Sequence, residues 1–503
     1  MSRSRILVLL GIMLSLFLAS MEGTVVATAM PTIVGQLGGL SSYSWVFSAY
    51  LVASTVMVPI FGKLSDQFGK RPVYAAAMAL FLGGSLLCGR AGSMTELIVF
   101  RVVQGLGAGG VLPLAFTIIG AMFDYQQRAR MQGLFASVWG FSSLVGPLIG
   151  GVLVDRVSWR WIFYINVFPG LLAAALIWLW WVDEPRPEGA GPVRVDYVGA
   201  ALLSSAVVAL LLGLFVLESG SGVWLLALAG ALSALLWGVE RRASDPVLPL
   251  PLFRMRLFSA ATAHGLLSGF AMFGSIAFVP LFVQAVLGTS ATAAGVTLTP
   301  FMLGWVTASV TGSRLVLRIG YRTLAVTGMT ALTLGAFLMS RIGADATRTG
   351  LMLNLILMGM GMGLSVPSLT IAVQTAVARR DLGTATSTLQ FARSIGGAVG
   401  VSVMGAVLGV RLDRTLHAAG LDPDRVSLGR LLDPMARPSA ATALDATVRA
   451  ALAEAIAAIF VFAFIAAAIG LLATVAAPRG SVAQLAARRA EAAGETGPGE
   501  GRA

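Results

Sequence analysis

Gly62-Lys63-Leu64-Ser65-Asp66-Gln67-Phe68-Gly69-Lys70-Arg71-Pro72 is a short charged stretch between two long apolar runs, 45–61 and 73–88. A compact turn of glycine, acid, glycine and base fits between segments that leave and re-enter a bilayer. It fits poorly between two segments of one soluble core. The flanking runs are near the lower limit for crossing about 30 Å of hydrocarbon, so they must borrow neighbouring residues. Composition agrees: the 503 residues are 57% hydrophobic and 12% charged, against roughly 25% charged in soluble domains. No soluble core of this length hides so much apolar surface, so a polytopic all-α membrane protein is expected.

Outward from the loop, fourteen apolar runs follow one another from 6–34 to 453–477. An even number puts both termini on one face. That face carries Arg3, Arg5, Lys63, Lys70, Arg71, Arg128, Arg130 and most other basic residues. The opposite short loops carry Arg90, Arg156, Arg160, Arg341 and Arg348. The asymmetry places both termini in the cytoplasm of a cell (inner) membrane protein. The formal charge of +12 is spread over loops rather than gathered on a face, so no nucleic-acid partner is expected. The first apolar run is too long for a signal-peptide core. The single cysteine, Cys88, sits in an apolar run and reads as packing. His264 and His417 fall on opposite faces, with His264 expected at a loop end, so no metal site is expected. There is no phosphate-binding loop of the Walker type, so the chain is expected to be neither an ATPase nor any other enzyme.

The chain also repeats itself. Gly105, Gly107, Gly109 and Pro113 can be laid on Gly359, Gly361, Gly363 and Pro367. Gly133, Gly146 and Gly150 fall on Gly383, Gly396 and Gly400, and Pro31, Gly69 and Arg71 fall near Pro280, Gly320 and Arg322. A shared offset of about 250 residues argues for one duplication rather than chance glycine matches. Spans 1–6 and 9–14 are then two halves, and spans 7 and 8 have no counterpart. The expected organisation is 1–182, a six-helix half; 183–256, two additional central spans with linkers; 257–477, a second six-helix half containing an external loop at 411–449; and 478–503, a disordered cytoplasmic tail.

The pattern G-K-L-S-D-x-F-G-K-R at 62–71 resembles the signature loop between spans 2 and 3 of the major facilitator superfamily. Parallel six-span halves are the architecture of that fold, and two extra central spans narrow the resemblance to its fourteen-span drug:proton antiporter-2 family. Arg101-Val102-Val103-Gln104-Gly105-Leu106-Gly107 is similar to that family's span-4 motif. Gly140 through Gly146-Pro147-Leu148-Ile149-Gly150-Gly151 resembles the span-5 motif of exporters, and Trp159-Arg160-Trp161-Ile162-Phe163-Tyr164-Ile165-Asn166 resembles its entry to span 6.

Glu22 is the residue with most to explain. It lies inside the first apolar run, where an ionisable group is costly unless it faces a cavity, finds a partner or is protonated. A carboxyl held there suits reversible protonation. The family carries an aspartate at this place, in a pattern resembling L-D-x-T-I-V-N-V-A-L-P. The plain alternative is an acid that only pairs with a neighbouring helix. Arg101 stays charged when buried and could tune such a carboxylate, with Gln104 one turn further on the same face. Its plain alternative is to snorkel to the interface. Gly146 and Gly150 suit close helix approach and Pro147 a kink; packing without directional meaning is the alternative. Arg393, near the bilayer middle, is expected to meet an anionic group or a carboxylate. Trp159 and Trp161 read as aromatic-belt anchors, with Asn166 placed to bond a neighbouring span. Asp66 is placed to cap or neutralise a helix N-terminus across the loop, Lys70 and Arg71 to satisfy carbonyls or reach acids, and Asp124 to be a partner in a gating cluster with Gly62 and Gly69.

The resemblance implies a proton-coupled secondary transporter. It would export small amphipathic or lipophilic, preferably cationic, compounds by alternating access. Protons and membrane lipids would be its other partners. The proton gradient would serve in place of any cofactor, and the expected state is a monomer. A lipid or cell-envelope precursor exporter, a proton-symporting importer and a transport-inactive membrane sensor remain the alternatives.

Overall fold

The computed structural model describes residues 3–37, 43–183, 196–216, 221–243, 246–248, 250–289, 291–418 and 443–492. All regular structure in them is helical. In lipid the backbone must satisfy its own hydrogen bonds, and a helix does so within one segment. The first half runs α1 (Arg3–Leu37), α2 (Tyr43–Phe68), α3 (Lys70–Arg90), α4 (Met94–Met122), α5 (Tyr125–Arg156), a single turn α6 (Trp161–Tyr164) and α7 (Val167–Trp180). Two further helices follow, α8 (Tyr197–Phe215) and α9 (Gly222–Glu240). The second half runs α10 (Arg256–Leu281), α11 (Ala291–Ile319), α12 (Tyr321–Met339), α13 (Arg348–Ala376), α14 (Leu382–Ala418) and α15 (Ala443–Val475), with a short α16 (Val482–Ala492) beyond it.

Among the described residues twelve helices are long and apolar enough to cross a membrane, not fourteen. The other two expected runs lie on α5 and α8, where the apolar stretches are Gly133–Ser142 and Val198–Leu214. Three other expectations change. The run expected at 161–182 is broken at Ile165 and Asn166, between α6 and α7. The expected loop 411–449 is entered from both sides by α14 and α15, and its centre, 419–442, lies outside the described residues. The tail expected to be disordered instead forms α16, which packs against α13 and also touches α11 and α5; 493–503 lie outside the described residues.

Packing repeats between the halves. α4 lies between α2 and α3, and α13 lies between α11 and α12. Glycine makes this possible. A Cβ at Gly107 would run into the backbone of Phe81 on α3, and a Cβ at Gly361 would lie 2.6 Å from the Leu332 nitrogen on α12. Small residues in such rows let backbones approach where lipid supplies no hydrophobic drive. Pro113 and Pro367 sit inside these two helices, at matching places. The N-caps of α3 and α12, Gly69 and Gly320, both take a left-handed backbone, φ 90° and φ 88°.

The halves meet through α5 on α11 and through α2 and α4 on α14. α8 and α9 pair with each other, and α8 also touches both α2 and α14. Leu203, Val207 and Leu236 of this pair share an apolar cluster with Val56 of α2 and Ala398 of α14.

Candidate functional site

Three of the expected site residues come together inside the first half. Glu22, halfway along α1, is 1% exposed. Its Oε1 accepts from Arg101 Nη1 at 2.5 Å and from Gln104 Nε2 at 3.0 Å. Its Oε2 accepts from Asn166 Nδ2 at 2.8 Å. Arg101 and Gln104 are one turn apart on α4 and join each other at 2.7 Å. Arg101 also donates from Nε to the Val46 carbonyl at 3.2 Å and lies 4.1 Å from the centre of the Tyr50 ring. Gln104 Nε2 donates to Ser85 Oγ at 2.8 Å. A charged pair removed from water survives only when its remaining donors and acceptors are satisfied, and four helices and the α6–α7 break supply those partners.

Arg101 is 1% exposed, so it does not snorkel. The sequence reading missed Tyr50 and Ser85 and did not foresee that Asn166 would reach Glu22. The break between α6 and α7 turns Asn166 inward and leaves it buried. Trp159, expected in an interfacial belt, is wholly buried and donates to Gln36 Oε1 at 2.9 Å. Trp161 is the exposed member of the pair. Polar residues inside the run, rather than its tryptophans, were the signal for an interior contact.

Arg393 is not part of this cluster. It lies on α14 and lines a cavity of about 200 Å³ between the halves. Phe116 and Trp139 bound that cavity from the first half, and Phe273, Trp305 and Gln390 from the second. Trp139 and Trp305 stack across the junction with centroids 6.4 Å apart. Arg393 Nη2 donates to Gln390 Oε1 one turn earlier. Leu112 and Phe116 put the cavity two to three turns beyond Gln104 on the same helix, about 12 to 18 Å away. Glu22 and Arg101 are therefore linked to the cavity through α4 rather than lining it. Gly140 also borders the cavity, facing Val306 of α11 at close range. Gly146 and Gly150 are buried on α5, which packs on α1. Pro147 and Gly151 fall on helical backbone, and their side-chain surroundings lie outside the described residues.

The opening loop joins the two halves. Asp66 Oδ1 accepts from the Gly383 N–H at 3.0 Å, and Oδ2 accepts from the Thr384 N–H and hydroxyl, each at 2.7 Å. Those N–H groups belong to the first turn of α14, where a carboxylate offsets unsatisfied donors and the positive end of the helix dipole. Gly62 lies directly against Ser387 of the same helix. The remaining loop charges are arranged differently from expectation. Lys70 and Arg71 donate their backbone N–H groups to the Asp183 carboxylate, at 2.9 and 3.0 Å, and the Arg71 guanidinium covers the Trp178 ring at 4.4 Å. Asp124 caps its own helix, accepting from Gln127 N at 2.8 Å. An acid at the position just before a helix finds its nearest donors in that helix's first turn, so Asp124 is not drawn to Lys70 and Arg71. Asp183 takes that place. His264 likewise lies inside α10 and is buried, rather than at a loop end. Among the described residues no cluster of metal-ligating side chains occurs.

A family model described as Major Facilitator Superfamily matches residues 12–401. "Multidrug transporter protein MdtP" of Bacillus subtilis (strain 168) is 40% identical over 415 residues, 81% of this chain and 76% of its own length. "Efflux pump dotC" of Dothistroma septosporum is 32% identical over 411 residues, 80% of this chain and 70% of its own. Among solved structures, the human organic anion transporter MFSD10 (TETRAN) superposes with a TM-score of 0.64 at 16% identity, covering 93% of this chain and all of that one. A bacterial homolog of the human lysosomal transporter Spinster, inward-facing and unoccupied, gives 0.61 at 17% identity over 95% and 98%. These two likenesses concern the fold. Gly–acid–Gly loop, paired halves and family match agree: the chain belongs to the major facilitator superfamily.

Proposed function

We propose that this chain is a proton-coupled exporter of small amphipathic compounds, working by alternating access of the central cavity. The observation that carries the reading is the buried Glu22–Arg101 pair. Protonating Glu22 would remove one charge of the pair and leave a guanidinium buried without its counter-ion, a costly state. Proton uptake is then tied to a rearrangement of α1 against α4. α4 also lines the cavity, which gives the proton a mechanical route to the cargo. Protonation from outside would favour release and deprotonation inside would favour capture.

The names of the relatives, a multidrug transporter and an efflux pump, support export. The α8 and α9 pair between the halves supports the fourteen-span drug:proton antiporter-2 subfamily. The basic bias of one set of loops supports a cytoplasmic membrane location with both termini inside. The reading needs no cofactor beyond the proton gradient and no second copy of the chain. It is tested in reconstituted vesicles with an imposed pH gradient and a panel of dyes and antibiotics, following proton movement with a pH-sensitive dye. Cargo-dependent proton movement is expected. Proton movement unaffected by every member of the panel would overturn the coupling.

A further inference from the structure

The central cavity is walled by Phe116, Trp139, Phe273 and Trp305, and its one ionisable lining residue among the described residues is Arg393. Arg393 stands about eleven residues into α14, roughly 17 Å along the helix and so near mid-membrane. A guanidinium stays charged at that depth, and such a charge ordinarily finds an opposite one. Here it does not. Among the described residues Arg393 forms no ion pair, and its hydrogen bond goes to the neutral Gln390. Its titratable neighbour on the facing helix α10 is His264, a base rather than an acid. The buried carboxylate of the first half, Glu22, is spent on Arg101, Gln104 and Asn166.

We propose that the cargo is an amphipathic anion, an aromatic or aliphatic body bearing a carboxylate or similar acidic group, with Arg393 as the residue that sets its charge. The proposal deepens the exporter reading and rests on it, and it reverses the cationic preference expected from the sequence. The aromatic walls would take the body. The guanidinium would pair with the acidic group in a setting where water competes weakly. A cationic amphiphile would meet the same walls but leave two like charges facing each other. Gln390 holds the guanidinium ready and gives up one contact when the anion arrives.

The test is a matched series: 2-naphthoate, 2-naphthamide and 2-naphthyltrimethylammonium. Binding to the solubilised full chain is read by quenching of tryptophan fluorescence, and export from reconstituted vesicles is read separately. The naphthoate is expected to bind about tenfold or more tighter than the amide, as for a desolvated ion pair, and the ammonium weakest. Arg393→Gln should erase the naphthoate's advantage, and Arg393→Lys should keep part of it. An ammonium that binds as well as the naphthoate, or none of the three binding, overturns the proposal. The wild-type order alone can do so if both variants misfold. Selective naphthoate binding without pH-driven export would instead overturn the exporter reading and leave the charge assignment standing. Export of ammonium probes alone would do the reverse.

Discussion

The Asp66 carboxylate, in the first half, accepts two hydrogen bonds from Thr384, in the second, one from its backbone N–H and one from its hydroxyl. The contact exists only while the end of α2 lies against the start of α14. Opening the halves at this end breaks it. Asp66→Asn keeps one acceptor and loses the charge. Hydrogen bonds to charged groups contribute about 1.5–3 kcal/mol, so the closed-to-open ratio should fall roughly tenfold or more. Turnover in vesicles should slow while cargo affinity changes little. An unchanged turnover number, with unchanged cross-linking between cysteines placed at 63 and 386, would show that the contact is not a latch.

Glu22→Gln should abolish pH-gradient-driven efflux and leave binding at the cavity within about threefold, since Glu22 lies off the cavity wall. The variant also leaves Arg101 buried without its anion, a loss of about 3–5 kcal/mol when a buried pair is broken from one side. A lower melting temperature is therefore expected alongside the transport defect. Efflux at the normal rate would remove Glu22 from the coupling role.

Arg101→Lys tests the geometry rather than the charge. The guanidinium reaches Glu22, Gln104 and the Val46 carbonyl at once, and an ammonium on a flexible stem does not reproduce that fork. The pH profile of efflux should shift or flatten although the charge is retained. An identical profile would mean that Arg101 acts on Glu22 as a point charge alone.

Gly361→Ala should destabilise the second half by about 1–3 kcal/mol, as overpacking does, because the added Cβ would lie 2.6 Å from the Leu332 nitrogen. Gly230→Ala is the control: nothing lies within 4 Å of its Cβ position on α9, and alanine is the better helix former. Thermal unfolding in detergent should separate the two variants, with Gly230→Ala equal to or above the parent. Equal melting temperatures would refute the close α12–α13 contact.

Much of the fold was legible because the bilayer writes it into composition. Long apolar runs, loop arginines and glycines in register each follow from one local cause. The places that were not legible depend on contacts distant in sequence. Asp66 could be read as a capping acid, but the helix expected was the one across its own loop, and the one it caps is α14 in the other half. Asp124 was expected as the partner of the 70–71 turn, and nothing local in the sequence singled out Asp183, which reaches that turn only because the chain after α7 returns beside it. Asn166 could be read as bonding a neighbouring span, but not that its partner is Glu22. Arg393 and Glu22 looked alike as buried charges, yet one has its counter-ion and the other faces a cavity.

α8 touches both α2 and α14, the helices that form one of the two junctions between the halves. The other junction, α5 with α11, is touched by α16, a helix of only eleven residues. The two junctions are therefore flanked by different elements, a pair of nineteen-residue apolar helices at one and a short terminal helix at the other. The additional pair gives the transporter a front and a back within the plane of the membrane.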